Sequence, residues 1–171
     1  METNHGKMIP YGNKCFLIGN KLERGEYNFM VKQRKNVYWG AFVLDTFDLF
    51  LKDDLSRNEY EIFFFLCKKM DTNTNKVFVR QKDILNALRD DHNISKAKGT
   101  ISKAIKGLLE KQYIAKQVNG VGYMINPSMF YTGGKLDVSG KIKSFNDNLS
   151  KQGISPMYEL DSDSGKIESY D

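Results

Sequence analysis

The 171-residue sequence predicts a mainly α-helical chain with small β elements, an α+β fold with an N-terminal β-hairpin extension and a flexible C-terminal tail. Three observations carry that prediction. A capping box, Ser56 with Glu59, opens a strongly apolar helical pattern; a lysine-rich helical pattern begins near Ser95; and an Asn-Gly turn, Asn119-Gly120, separates two short runs of strand character. They divide the chain into an aromatic-rich extension (1–54), a folded domain (55–131) and a polar, acidic tail (132–171).

In the extension, residues 26–32 and 37–43 read as two strands around the polar turn Gln33-Arg34-Lys35-Asn36. Residues 44–51 follow with apolar side chains at 44, 47, 50 and 51, a helical spacing. The aromatics Tyr27, Phe29, Tyr38, Trp39 and Phe42 read as packing or subunit contact rather than base stacking, because strands are rich in aromatics anyway.

The folded domain opens where the Ser56 hydroxyl can accept from an orphan backbone N–H while Glu59 reaches back to the cap. Tyr60, Phe63, Phe64, Cys67 and Met70 then recur at helical spacing, widened by Ile62, Phe65 and Leu66, so this helix belongs at the centre of the core. A polar turn at 71–75 ends it, and residues 76–80 read as a short strand. A short helix is expected over 81–88, with Ile84, Leu85 and Leu88 on one side, until the polar loop 89–93 breaks the pattern. With Ser95 as cap, a further helix runs to about Lys111. It turns Ile101, Ala104, Ile105, Leu108 and Leu109 inward, and Lys96, Gly99, Thr100, Lys103, Lys106 and Gly107 onto the opposite arc. Residues 113–118 and 123–127 read as strands of a hairpin. The order helix, strand, helix, helix, strand, strand is that of a winged helix-turn-helix, with the hairpin as wing. Residues 132–171 show no sustained apolar period and read as a mobile tail.

Composition excludes several classes of function. The longest apolar run, residues 62–67, is far too short to span a bilayer, and the N-terminal residues lack the layout of a secretory signal, so a cytoplasmic protein without membrane contact is expected. Cys15 and Cys67 lie far apart without partners at metal spacing and read as reduced. His5 and His92 suggest neither a metal pair nor a triad, and Gly133-Gly134-Lys135-Leu136 lacks the first glycine and final hydroxyl of a phosphate-binding loop. No enzymatic activity, cofactor or metal is expected. The net charge of +5 is unevenly spread: residues 157–171 hold five acids against Lys166, a net −4, leaving +9 on the rest. An excess of that size suits a polyanionic partner.

A helix that reads DNA must bury one face and offer short polar and cationic side chains to the major groove from the other. Six lysines (Lys96, Lys98, Lys103, Lys106, Lys111 and Lys116) lie between Ser95 and Gln117 with one acid, Glu110. Thr100, Ser102 and Lys103 are the candidates for base edges, near the N-terminal end that recognition helices point into the groove. Lys106, Lys111 and Lys116 suit phosphates, and Lys116, Gln117 and Asn119 place the wing against the adjacent backbone or minor groove. Arg80, Gln81 and Lys82, opening the preceding helix, suit a phosphate at its N-terminus. A lysine-lined face alone is usually just solvated. Its position after a short helix and a break, and before an Asn-Gly hairpin, is what points to DNA.

Residues 58–63 (NEYEIF), 79–84 (VRQKDI), 99–108 (GTISKAIKGL) and 123–127 (YMINP), with Phe130 and Gly133 beyond, resemble the RepL-type plasmid replication proteins of Gram-positive bacteria across about residues 45–135. The resemblance implies binding of double-stranded DNA at a plasmid origin through Thr100, Ser102, Lys103 and their neighbours to initiate replication. A homodimer that recruits host replication proteins is the corresponding expectation. Two departures stand out: Arg80 replaces the Ser or Thr cap of the family pattern, and residues 93–99 are a residue or two longer. The alternatives are a winged-helix transcriptional regulator, a protein-interaction module and an origin nickase.

Overall fold

The computed structural model describes residues 7–11, 14–18, 40–132, 135–161 and 163–170. The chain divides into two compact units, Met1–Trp39 and Gly40–Asp171. Within the first, β1 (Lys7–Tyr11) pairs antiparallel with β2 (Lys14–Ile18), Lys7 opposite Ile18 and Tyr11 opposite Lys14. The hairpin expected over residues 26–43 lies outside the described residues up to Trp39.

The second unit mixes helices with small antiparallel sheets, an α+β arrangement. It begins with β3 (Ala41–Phe42) and α1 (Asp45–Lys52). Of the apolar residues at helical spacing, Leu44, Phe47 and Leu51 are exposed and only Phe50 is buried, together with Thr46. Hydrogen bonding sets this rotation: the Thr46 hydroxyl donates to the Met129 carbonyl (3.1 Å), and the Val43 N–H donates to the same oxygen (3.0 Å).

Helix α2 (Arg57–Lys69) starts where its capping box requires, with Ser56 Oγ accepting from the Glu59 N–H and Glu59 Oε2 accepting from the Ser56 N–H (2.7 Å). Its Ile62, Phe63, Phe65 and Leu66 are buried. Phe63 meets Tyr113 edge-on and Phe50 stacks on Tyr113, with centroids 5.5 and 5.6 Å apart, the offset geometries that aromatic quadrupoles favour. Burial and the neighbouring Asp53 push the Tyr113 phenol up, so it stays protonated and donates to Asp53 Oδ2 (2.9 Å).

Helix α3 (Gln81–His92) is a turn longer than its apolar pattern. The polar run after Leu88 does not break it, since that turn is exposed; Asn93 does, by taking the left-handed conformation (φ 54°, ψ 33°), from which the Ile94 N–H reaches the Leu88 carbonyl (2.9 Å). Helix α4 (Lys98–Glu110) begins at Lys98 rather than Ser95, and the N-cap position falls to Ala97, which supplies no side-chain cap. Ile94 packs against the core and holds residues 93–97 as a connector.

Strands β4 (Lys76–Val77), β5 (Ile114–Lys116) and β6 (Tyr123–Ile125) form a sheet in the order β4-β6-β5, antiparallel throughout. The loop joining β5 to β6 is wider than an Asn-Gly two-residue turn. The Gln117 N–H closes it onto the Gly122 carbonyl (3.2 Å), and Gly122, not Asn119 or Gly120, takes the positive φ (109°). A Cβ at Gly122 would lie 1.9 Å from the Val77 carbonyl oxygen, so glycine is also what lets the loop close against β4. Strand β7 (Phe130–Tyr131) pairs with β3. The turn leading into β7 is held by Asn126, whose amide donates to the Gln112 carbonyl (2.9 Å) and accepts from the Ser128 N–H (3.0 Å).

The expectation of a mobile tail over 132–171 is corrected. Helix α5 (Lys135–Ser150) and a hairpin of β8 (Tyr158–Leu160) with β9 (Ile167–Ser169) occupy most of it. Val138, Ile142, Phe145 and Leu149, at i, i+4, i+7 and i+11, are buried. Phe145 and Leu149 cluster with Ala115 and Met124, while Ile114, Tyr123 and Ile125 of the same strands face the main core. The sheet is therefore covered on both sides, by α2–α4 on one and α5 on the other. Tyr158 enters the main core. Among the described residues, no helix is long and apolar enough to cross a membrane.

Candidate nucleic-acid interface

Helix α4 buries Ile101, Ala104, Ile105 and Leu108 and exposes Lys98, Gly99, Lys103, Lys106 and Glu110. Two ion pairs brace it against α2, and both use lysines that the sequence placed on its polar side or end. Lys96 Nζ lies 2.5 Å from Glu61 Oε2 and donates to Asn58 Oδ1 (2.6 Å), and its side chain is only 10% exposed. A lysine so enclosed is a strut between the connector and α2, not part of an open cationic face. Arg57 bonds the same Glu61 (2.8 Å), and Lys96 and Arg57 together hold the Glu61 carboxyl below the usual carboxylate range. At the other end of α4, Lys111 pairs with Glu59 (2.9 Å). Burial would raise the Glu59 carboxyl, but hydrogen bonds from Lys111 and Ser56 outweigh it and the net shift is downward. Gly107 makes the approach possible, since a Cβ there would sit 2.1 Å from Glu59 Oε1. Gly107 thus faces α2 rather than solvent.

The other candidates converge on Gln81. This side chain accepts from the Ser102 hydroxyl (2.7 Å), so the start of α3 and the first half of α4 are tied at one point. Gln81 and Ser102 are half-buried and engaged with each other. Arg80 and Lys82 beside them are exposed. The Arg80 N–H donates to Asp83 Oδ2 (2.9 Å), but an arginine side chain has no acceptor to return the cap, and the Asp83 carboxylate already lies in the first turn. That carboxylate weakens the case for a phosphate at this N-terminus.

On the hairpin, Lys116 and Asn119 are exposed, while Gln117 turns inward, its amide donating to the carbonyls of Val121 (3.2 Å), Tyr123 (3.3 Å) and Val77 (3.4 Å). Thr100, half-buried, lines a groove of about 620 Å³ with Ser56, Asn58, Lys103 and Lys106. Lys106 stands 3.6 Å from Glu110, an exposed i,i+4 pair that contributes little. The open cationic set is thus Lys98, Lys103 and Lys106 on α4, Arg80 and Lys82 on α3, and Lys116 on the hairpin.

Sequence reasoning did not find the positioning roles of Glu59, Glu61 and Gln81. Their distant partners Lys111, Lys96 and Ser102 lie 52, 35 and 21 positions away, beyond any periodic pattern. Burial pushes the Cys67 thiol up, which leaves it protonated and a weak nucleophile. Among the described residues no cluster of His, Cys, Asp or Glu is placed to hold a metal. No family model, curated protein or solved structure matches the chain.

Proposed function

We propose that the chain binds double-stranded DNA through a winged helix-turn-helix made of α2, α3, α4 and the β5–β6 hairpin, and that it acts at a plasmid origin to initiate replication. The observation that carries the DNA reading is the joint at Gln81. It ties the start of α3 to an α4 with one buried and one cationic face, and the hairpin strand β6 packs Tyr123 and Ile125 into the same core. Helix α4 enters the major groove with Lys103 and Lys106 outward and Thr100 at its shoulder. Lys98, Arg80 and Lys82 neutralise flanking phosphates, and Lys116 and Asn119 set the hairpin against the neighbouring backbone. Lys96, Gln81, Ser102 and Gln117 position these elements instead of touching DNA. The replication role rests on the likeness of residues 45–135 to the RepL-type proteins. In this reading the protein is a cytoplasmic homodimer that recruits host replication proteins and performs no chemistry itself.

Binding of the purified chain to fragments of the DNA carrying its gene, in competition with bulk DNA and across a salt series, tests the reading. One fragment should win, with affinity falling steeply as salt rises. Lys103→Ala/Lys106→Ala should lower the slope of log K against log salt by about 0.9 per lost phosphate contact. A winning fragment at the gene's own promoter would make the protein a transcriptional regulator. Absence of binding by the parent chain would reduce the cationic face to a solvated surface.

A further inference from the structure

A second cationic surface lies on the far side of the sheet, between the β5–β6 hairpin and α5. It is a cleft of about 280 Å³ lined by Lys76, Lys143, Lys151, Asn119, Asn148 and Asp147, among others. Helix α5 is fixed against the hairpin by specific bonds. The Asn148 amide donates to the Lys116 carbonyl (2.7 Å) and accepts from the Val118 N–H (3.1 Å), and Gln152 donates to the same Lys116 carbonyl (3.1 Å). These satisfy the Lys116 carbonyl at the end of β5 and the Val118 N–H just beyond it, so hairpin and helix form one wall. Lys76 stands opposite Met124 in the β4–β6 register and so projects to the side of the sheet that α5 covers. Lys143 on α5 and Lys151, just past its end, are both exposed.

Among the described residues, these lysines share with Lys98, Lys103 and Lys116 the lack of a carboxylate partner. Lys69, Lys96, Lys106 and Lys111 each have a carboxylate within ion-pair distance; among the described residues Lys76, Lys143 and Lys151 have none. Asp147 lies between Lys143 and Lys151 without pairing either, and the cleft keeps a net positive charge. At 1.5 Å per residue, Lys143 and Lys151 are about 12 Å apart along the helix, too far to share one small anion but suited to separate charges of a polyanion. The Asn119 end of the cleft opens at the hairpin that the proposed function already sets against a DNA backbone.

We propose that this cleft is a second phosphate-binding surface for duplex DNA. DNA whose major groove receives α4 continues past the hairpin, and its backbone lies against Lys143 and Lys151 with Lys76 behind them. The inference rests on the DNA reading of α4. It adds the C-terminal helix to the interface and lengthens the DNA segment covered.

The test uses the full chain and a fluorescein-labelled, mixed-sequence duplex, with anisotropy read across a salt series. Lys143→Gln/Lys151→Gln should weaken binding about tenfold at low salt and lower the salt slope by about 1.8, at 0.9 for each of two contacts. Lys68→Gln/Lys166→Gln, an equal loss of charge at exposed positions outside the cleft, should leave the slope unchanged. Lys143→Arg/Lys151→Arg should restore it, and Asp147→Asn should tighten binding. A cleft variant that keeps the parent slope while Lys103→Ala/Lys106→Ala loses it overturns this inference and leaves the DNA reading standing. Equal losses in the cleft and control variants overturn it as well, since only net charge would be acting. A parent chain that binds no duplex overturns both.

Discussion

At the scale of single residues, the placement of α4 depends on carboxylates of α2 more than on any residue of its own polar face. Glu61 holds Lys96 and Arg57, and Glu59 serves the α2 cap and Lys111 together. Replacing one partner leaves the other charge poorly solvated, so Glu61→Gln should cost about 1–3 kcal/mol in urea denaturation and loosen the 93–97 connector. The pH dependence follows from the same pairs. Both carboxyls lie below their ordinary value of 4.5 when folded, so their stabilisation is fully present above that value and is lost as pH falls through the folded pKa. The parent chain should therefore lose stability in that acid window, and Glu61→Gln should lose less over the same interval. An equal acid dependence in both would remove Glu61 from the account.

At the scale of elements, legibility in the sequence followed the range of the interaction. The capping box of α2 and the inward stripe of α4 rest on contacts within four residues, and the structure has both; the α2 stripe is turned from the expected one, with Ile62, Phe63, Phe65 and Leu66 buried, Tyr60 and Cys67 half-buried and Phe64 exposed. The start of α4 was not legible, because Ser95 looks like a cap while the connector is set by Ile94 in the core and by Lys96 on Glu61, 35 positions away. For the candidate site the same limit applied: the run of lysines was plain, but which of them were already paired was not. Helix α5 was missed for a different reason. Its apolar residues are single and separated by Gly, Ser, Asn, Asp and Lys, so low apolar density hid a regular spacing. Since Phe145 covers Ala115 and Met124, Phe145→Ala should lower unfolding free energy by about 3–5 kcal/mol. A mobile tail would show no change, and an unchanged denaturation midpoint would restore that earlier expectation.

At the scale of the whole molecule, the uneven charge acquires a fixed geometry. The acidic residues of 157–170 belong to a folded hairpin, tied through the Leu160 N–H to Ser128 Oγ (3.1 Å), through the Ile167 N–H to Asp45 Oδ2 (3.0 Å) and through the Met157 N–H to Gln112 Oε1 (2.7 Å). Tyr158 is buried beside Tyr113, with Asp53 facing both phenols. An acidic segment anchored in this way is not free to swing across the α4 face as a loose tail would be. Deleting residues 157–171 should therefore act first on stability, by about 3–5 kcal/mol for the lost Tyr158 packing. Glu168→Gln with Asp163→Asn, both exposed, should stay within about 0.5 kcal/mol of the parent. Their effect on DNA binding should be small at 0.1 M salt, where charges more than about 10 Å apart are largely screened, and should grow as salt is lowered. Thermal melts of the three proteins beside their DNA affinities separate the two roles. A deletion variant that melts with the parent yet binds DNA more tightly would mean that the acidic segment masks the cationic face rather than completing the core.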